Sequence, residues 1–147
     1  MTATQCIIYP AVTGPDILLC FPALQQLRPQ LRIETFLPTI HRQQSLGYVL
    51  LMMQAEEKTV GVAGCRFGET LARGKYLNID DFVTHADHRG RGYGRQLFAW
   101  IVNWAELSGC AQLHLDSGLR LTGAHRFYEK QKMSFASRHY SRKLKPA

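Results

Sequence analysis

The run His88-Arg89-Gly90-Arg91-Gly92-Tyr93-Gly94-Arg95 packs three arginines and three alternating glycines into one short stretch. Glycines allow positive φ and a close backbone approach to a ligand, and a helix start beyond them offers unpaired N–H groups and the positive end of a dipole. A pyrophosphate fits that environment. The two common phosphate loops, G-x-x-x-x-G-K-[ST] and G-x-G-x-x-G with a later ribose-binding acid, do not match, so triphosphate hydrolysis and nicotinamide chemistry lose support. His85, His88, His114 and His125 titrate in a useful range, but their spacing supports no metal site and each is more simply structural.

The elements around this run follow from periodicity. Leu97, Phe98, Ile101, Val102 and Ala105 form a 3-4 apolar stripe, with Gly109 at the position of a helix C-cap. Upstream, 48–54, 59–65 and 76–84 have strand character, the first two joined by a polar stretch of hairpin length, and 66–75 is expected to be a loop or hairpin end. Residues 5–9 make a short first strand. Ile17 to Leu27 predicts a first helix kinked or broken at Pro22, and Ile33 to Ile40 a second, complicated by Pro38. Strands are expected at 111–116 and 135–144, with a helix at 124–131 between them. The order predicts a mixed α+β sheet.

The chain has 147 residues, 46% hydrophobic and 20% charged, with no repeat or low-complexity tract, so a single domain over 1–147 is expected. Cys6, Cys20, Cys65 and Cys110 are scattered and read as free thiols of a cytoplasmic protein. No signal peptide is expected at the start, and no apolar run reaches membrane-span length. Net charge is +7, and it is uneven: residues 1–74 carry 6 basic and 5 acidic side chains, residues 75–147 carry 12 and 6. The basic excess therefore centres on the half that contains the glycine turn, and favours an anionic partner.

Arg89-Gly90-Arg91-Gly92-Tyr93-Gly94 matches [QR]-x-x-G-x-[GA] between a strand and a long helix, and thereby resembles the GNAT superfamily of acyl-CoA-dependent N-acetyltransferases. A second block, Leu115-Asp116-Ser117-Gly118 through Ala124-His125-Arg126-Phe127-Tyr128-Glu129-Lys130, resembles that family's later strand and Phe-Tyr helix. The Ala-His-Arg-Phe-Tyr run is similar to the aminoalkylphosphonate and small-amine type. The resemblance implies a mostly antiparallel central sheet flanked by helices and splayed at the acetyl-CoA strand. It implies acetyl-CoA as cosubstrate, held by Arg89, Gly90, Arg91, Gly92, Tyr93, Gly94 and Arg95 and by the strand segment Phe82, Val83 and Thr84. Asp81 matches the position of a proton-accepting carboxylate, with strand alternation expected to turn only one of Asp80 and Asp81 to the cleft. Tyr128 matches the tyrosine that protonates a departing thiolate, and Phe127 is assigned to the core. The acceptor, a small-molecule or peptide amine, would meet the loop around 39–48, where His41, Arg42 and Tyr48 are candidates, Arg42 for an acceptor carboxylate or phosphonate.

Three residues, Lys132, Met133 and Ala86, depart from the family pattern, the first two where a glycine and an aromatic usually end the Phe-Tyr helix. Lys132 stands where a glycine usually supplies a left-handed helix cap, a conformation that costs other residues about 1 kcal/mol. Ala86 stands where proline is common, which predicts a less rigid turn. No metal, nucleic acid or membrane is expected as partner, and a homodimer stays open. Competing readings are an acyl-CoA-binding sensor on the same fold and a basic nucleic-acid module; the latter lacks aromatics interleaved with its charges.

Overall fold

A computed structural model of the chain describes residues 5–118 and 121–145. By internal packing the chain falls into two units, residues 1–114 and residues 115–147.

The larger unit begins with β1 (Cys6–Pro10), followed by three helices, α1 (Gly14–Leu19), α2 (Phe21–Leu27) and α3 (Ile33–Ser45). Thr13 caps α1, its hydroxyl accepting from Asp16 N–H at 3.3 Å. The chain breaks at Cys20, so that Pro22 falls in the first turn of α2, where a missing N–H costs nothing. Pro38 does not break α3, which runs on to Ser45.

Next come β2 (Val49–Ala55), β3 (Lys58–Thr70) and β4 (Gly74–Thr84), then α4 (Tyr93–Leu107) and β5 (Gln112–Leu115). The sheet order is β1-β2-β3-β4-β5, with antiparallel pairing from β1 through β4. Of the two alternatives for 66–75, the structure shows the hairpin end: β3 continues to Thr70 and β4 starts at Gly74, leaving a short turn. Gly68 permits this, because its cross-strand partner Tyr76 lays its ring where a side chain would stand.

Leu50, Met52, Val62 and Val83 on one sheet face join Ile17, Leu24, Phe36 and Ile40 in a buried cluster beneath α1–α3. The other face takes α4, with Phe82 edge-on to Phe98 at 6.1 Å and Phe67 to Trp104 at 4.9 Å. Each fully buried Leu, Ile, Met or Phe contributes about 1.5–3 kcal/mol to this packing. None of the four cysteines forms a disulfide. No helix among the described residues is long and apolar enough to cross a membrane.

The smaller unit contains α5 (Thr122–Lys130). It ends in a left-handed cap: Lys132 has φ 65°, its N–H donates to Glu129 O, and Met133 N–H donates to Tyr128 O. The strand expected at 135–144 is absent; described residues there form no regular element, and Phe135, Tyr140 and Leu144 are exposed. Their spacing of five and four residues does not sustain the two-residue alternation of a half-buried strand.

Candidate active site

The glycine run forms the turn from β4 into α4. Gly90 and Gly92 have φ of 80° and 82°, and Gly92 is the N-cap. Among the described residues no side chain caps the helix, whose first internal bond at this end is Gln96 N–H to Gly92 O at 3.2 Å. The N–H groups of Tyr93, Gly94 and Arg95 therefore precede the helical ladder, at the positive end of a 15-residue helix.

A Cβ at Gly90 would meet nothing within 4 Å, whereas one at Gly94 would stand 3.3 Å from Thr84 Oγ1. The first glycine thus leaves open space over the turn, and the last lets α4 lie close on β4. Tyr93 is buried, so what it offers an anion is its backbone. Arg91 and Arg95 are exposed, while Arg89 folds back, its Nε donating to Thr84 O at 3.2 Å.

Helix α2 braces this turn through Gln26, a residue with no signal in the sequence. Its Oε1 accepts from Ala86 N–H at 2.8 Å. A proline at 86 has no such hydrogen to give, so the departure at Ala86 supplies a tether of its own.

Across the sheet from α4, Asp80 and Asp81 wall a cleft of about 350 Å³. The expectation that only one of them faces it does not hold. Gly64 pairs with Asp81 and Cys65 with Ile79, leaving Asp80 as the extra residue of a β-bulge, and both carboxylates reach the same side.

Both carboxylates are engaged. Asp81 Oδ1 accepts from Arg28 Nε at 3.0 Å and its Oδ2 from the Tyr48 hydroxyl at 2.8 Å. Asp80 Oδ2 accepts from Arg66 Nε at 2.7 Å and its Oδ1 from Asn78 at 2.8 Å. Arg28 Nη2 also donates to the Asp80 carbonyl at 3.1 Å. Burial, and then the neighbouring Asp81 charge, push the Tyr48 hydroxyl well above the usual tyrosine range, so it stays a donor. Leu24, Leu31, Phe36 and Ile40 supply apolar wall.

Tyr48 therefore lines the cleft. Arg42 is exposed on α3 and is not in the cleft wall; Arg28, which sequence reasoning passed over, is. The signal for Arg28 is indirect: a carboxylate pair on a half-buried strand needs cations, and α2 carries one at its end.

The edge of β4 away from β3 is only partly flanked. Strand β5 has four residues against eleven in β4, and Ala111 N–H donates to Lys75 O near the start of β4. Phe82 to Thr84 stand at the other end of that strand.

The sequence matches the acetyltransferase (GNAT) family over residues 16–133. The chain belongs to the GNAT acetyltransferase family. The N-acetyltransferase YhdJ of Bacillus subtilis (strain 168) is 33% identical over 121 residues, covering 82% of this chain and 84% of that protein. Among solved structures, aminoglycoside N-acetyltransferase AAC(6')-Iy in complex with CoA superposes with a TM-score of 0.82 at 16% identity, covering 97% of each chain. Glucosamine-6-phosphate N-acetyltransferase from Arabidopsis thaliana gives 0.76 at 22% identity, covering 96% of this chain and 99% of that one. These structures carry the open, mostly antiparallel sheet seen here.

Within the smaller unit of this acetyltransferase, Tyr128 is half-buried on α5, its ring 5.5 Å from Phe127, and burial raises its hydroxyl pKa. Phe127 is also half-buried, short of the core position expected for it, because α5 buries no residue fully.

Proposed function

We propose that this acetyltransferase is an acetyl-CoA-dependent N-acetyltransferase, one domain over 1–147, that moves an acetyl group to a primary amine of a small molecule or peptide by direct attack in a ternary complex. The observation that carries the reading is the N-terminus of α4, behind two left-handed glycines and directly after the end of β4.

That arrangement fits a CoA pyrophosphate. The N–H groups from Gly92 to Arg95 and the loop over Gly90 would hold it, with Arg91 and Arg95 adding charge-assisted contacts to phosphate. Phe82, Val83 and Thr84 would hold the adjoining arm. Bound there, acetyl-CoA supplies an acetyl group activated as a thioester.

The chain's own residues manage protons. An amine with pKa near 10 is almost wholly protonated at neutral pH, so it must lose a proton before its lone pair is available. Asp81 takes that proton, directly or through water, with Asp80 in the same wall. Tyr128 Oη carries the proton that goes to the departing thiolate, and its raised pKa keeps it protonated. Tyr48 shapes the acceptor end, and Arg42 stands on the outer surface of α3 for a larger acceptor.

One observation favours the acyl-CoA sensor instead: both Asp81 oxygens are already in use. Incubation with acetyl-CoA and a broad amine panel, read as amine-dependent CoA release, separates the two. Release supports the enzyme; acetyl-CoA binding without release under any amine supports the sensor.

A further inference from the structure

The charge balance of the cleft says more about the acceptor than its shape does. Arg28 and Arg66 are paired with Asp81 and Asp80 at 3.0 and 2.7 Å, so the four groups together are neutral. An acceptor bringing only an ammonium would displace a guanidinium and leave it without a counter-charge. One bringing an ammonium and an oxyanion would exchange the single Arg28–Asp81 pair for two.

Arg28 is equipped for that exchange. Its side chain is 44% exposed and lines the cleft, whereas Arg66 is tied to Asp80, to Gln43 Oε1 and to Leu46 O. A guanidinium has five N–H donors in a planar fork. Arg28 uses one on Asp81 Oδ1 and one on the Asp80 carbonyl, and the other three have no partner among the described residues.

We infer that Arg28 is the specificity residue of the acceptor site, and that the acceptor is a small zwitterion whose amine lies a few bonds from a carboxylate or phosphoryl group. The inference rests on the N-acetyltransferase reading. Arg28 binds the oxyanion through its free donors, and the carboxylate it releases, Asp81, receives the ammonium. Because Arg28 and Asp81 touch, the two charges of the acceptor are close together. The apolar wall of Leu24, Leu31, Phe36 and Ile40 accepts a modest hydrocarbon side chain.

The test pairs acceptors that differ only in the anion. The α-amino acids, β-alanine and aminomethylphosphonate are compared, with a carboxamide for each carboxylate, using wild type, Arg28→Ala and Arg28→Lys. Charge-assisted hydrogen bonds of this kind correspond to a preference of about ten- to hundredfold in kcat/KM. Wild type should show it for at least one acid over its amide, or for the phosphonate; which anion wins distinguishes a carboxylate from a phosphoryl acceptor. Arg28→Ala should erase the preference through the acceptor KM with the acetyl-CoA KM unchanged, and Arg28→Lys should restore part of it.

Equal use of acid and amide by wild type, or a preference that survives Arg28→Ala, overturns the inference and leaves the N-acetyltransferase reading intact. Calorimetric binding of the same probes decides the point without turnover. Loss of acid binding in Arg28→Ala supports the oxyanion role even if no amine is acetylated, an outcome that would sink the enzyme reading instead; no binding of any acid to wild type overturns the inference.

Discussion

Gly64→Ala tests whether the acid cleft is built around Tyr48. A Cβ at Gly64 would lie 1.8 Å from Tyr48 Oη, 2.3 Å from Cζ and 2.5 Å from Cε1, so the ring and the methyl cannot both stay. The backbone there is not left-handed, so the cost is contact rather than strain. Displacing the ring breaks the hydroxyl's bond to Asp81, about 1.5–3 kcal/mol for a charged partner. Forcing a buried side chain to move adds about 1–3 kcal/mol. Replacing a glycine inside a strand returns about 0.5–1 kcal/mol. The net is a loss of about 1.5–5.5 kcal/mol, a large fraction of the stability of an ordinary domain. Urea denaturation followed by tryptophan fluorescence measures it, and a double-mutant cycle with Tyr48→Ala isolates the clash. In the Tyr48→Ala background, Gly64→Ala should be neutral or slightly stabilising. A cost below about 0.5 kcal/mol in wild type, or an equal cost in both backgrounds, would refute the reasoning.

Lys132→Gly should stabilise by up to about 1 kcal/mol, raising Tm by a few degrees, because the left-handed cap at φ 65° stays and its Cβ penalty goes; a clear fall in Tm would exclude it. Tyr128→Phe should lower kcat without abolishing turnover, since a thiolate leaves acceptably unassisted; steady-state kinetics with any accepted amine checks this. Cys20 and Cys65, pushed up to about 12 by burial, stay neutral in the fold and ionise more readily when unfolded. A raised pKa gives stability present below the ordinary thiol value and lost above it, so stability should fall from about pH 9 upward, with a shallower fall in Cys65→Ala.

The parts of this molecule that were legible in the sequence are those fixed by local rules. The stripe from Leu97 to Ala105 gives α4 because helical period and apolar face coincide, and the glycines at 90 and 92 announce the positive φ they adopt. Lys132 shows its conformation by breaking a pattern. What stayed hidden depends on partners distant in sequence. Alternation along 76–84 misplaced Asp80 because a bulge is a property of register, set by how β3 pairs with β4. Arg28 and Gln26 matter through groups more than fifty residues away, at Asp81 and Ala86. The strand expected after Phe135 is not present, because the apolar residues there keep no two-residue period.

The bulge at Asp80 also accounts for how one strand serves two chemistries. Leu77 and Ile79 face α4, and simple alternation from them would carry Asp81 and Val83 to that same face, setting a carboxylate against Leu97 and Phe98. Burying it there without partners would cost several kcal/mol. The extra residue reverses the phase. Phe82 takes the α4 side, where it meets Phe98, while Val83 enters the core under α1–α3 and Asp81 turns to Arg28 and Tyr48. Two residues later the same strand ends at Thr84, whose carbonyl anchors Arg89 and whose hydroxyl fits against Gly94. The acid cleft and the glycine turn therefore lie on opposite faces of β4 because apolar packing on each face demands it. The bulge at Asp80, one residue before Asp81, sets that phase, and regular alternation then carries the strand from Asp81 on one face to Thr84 on the other.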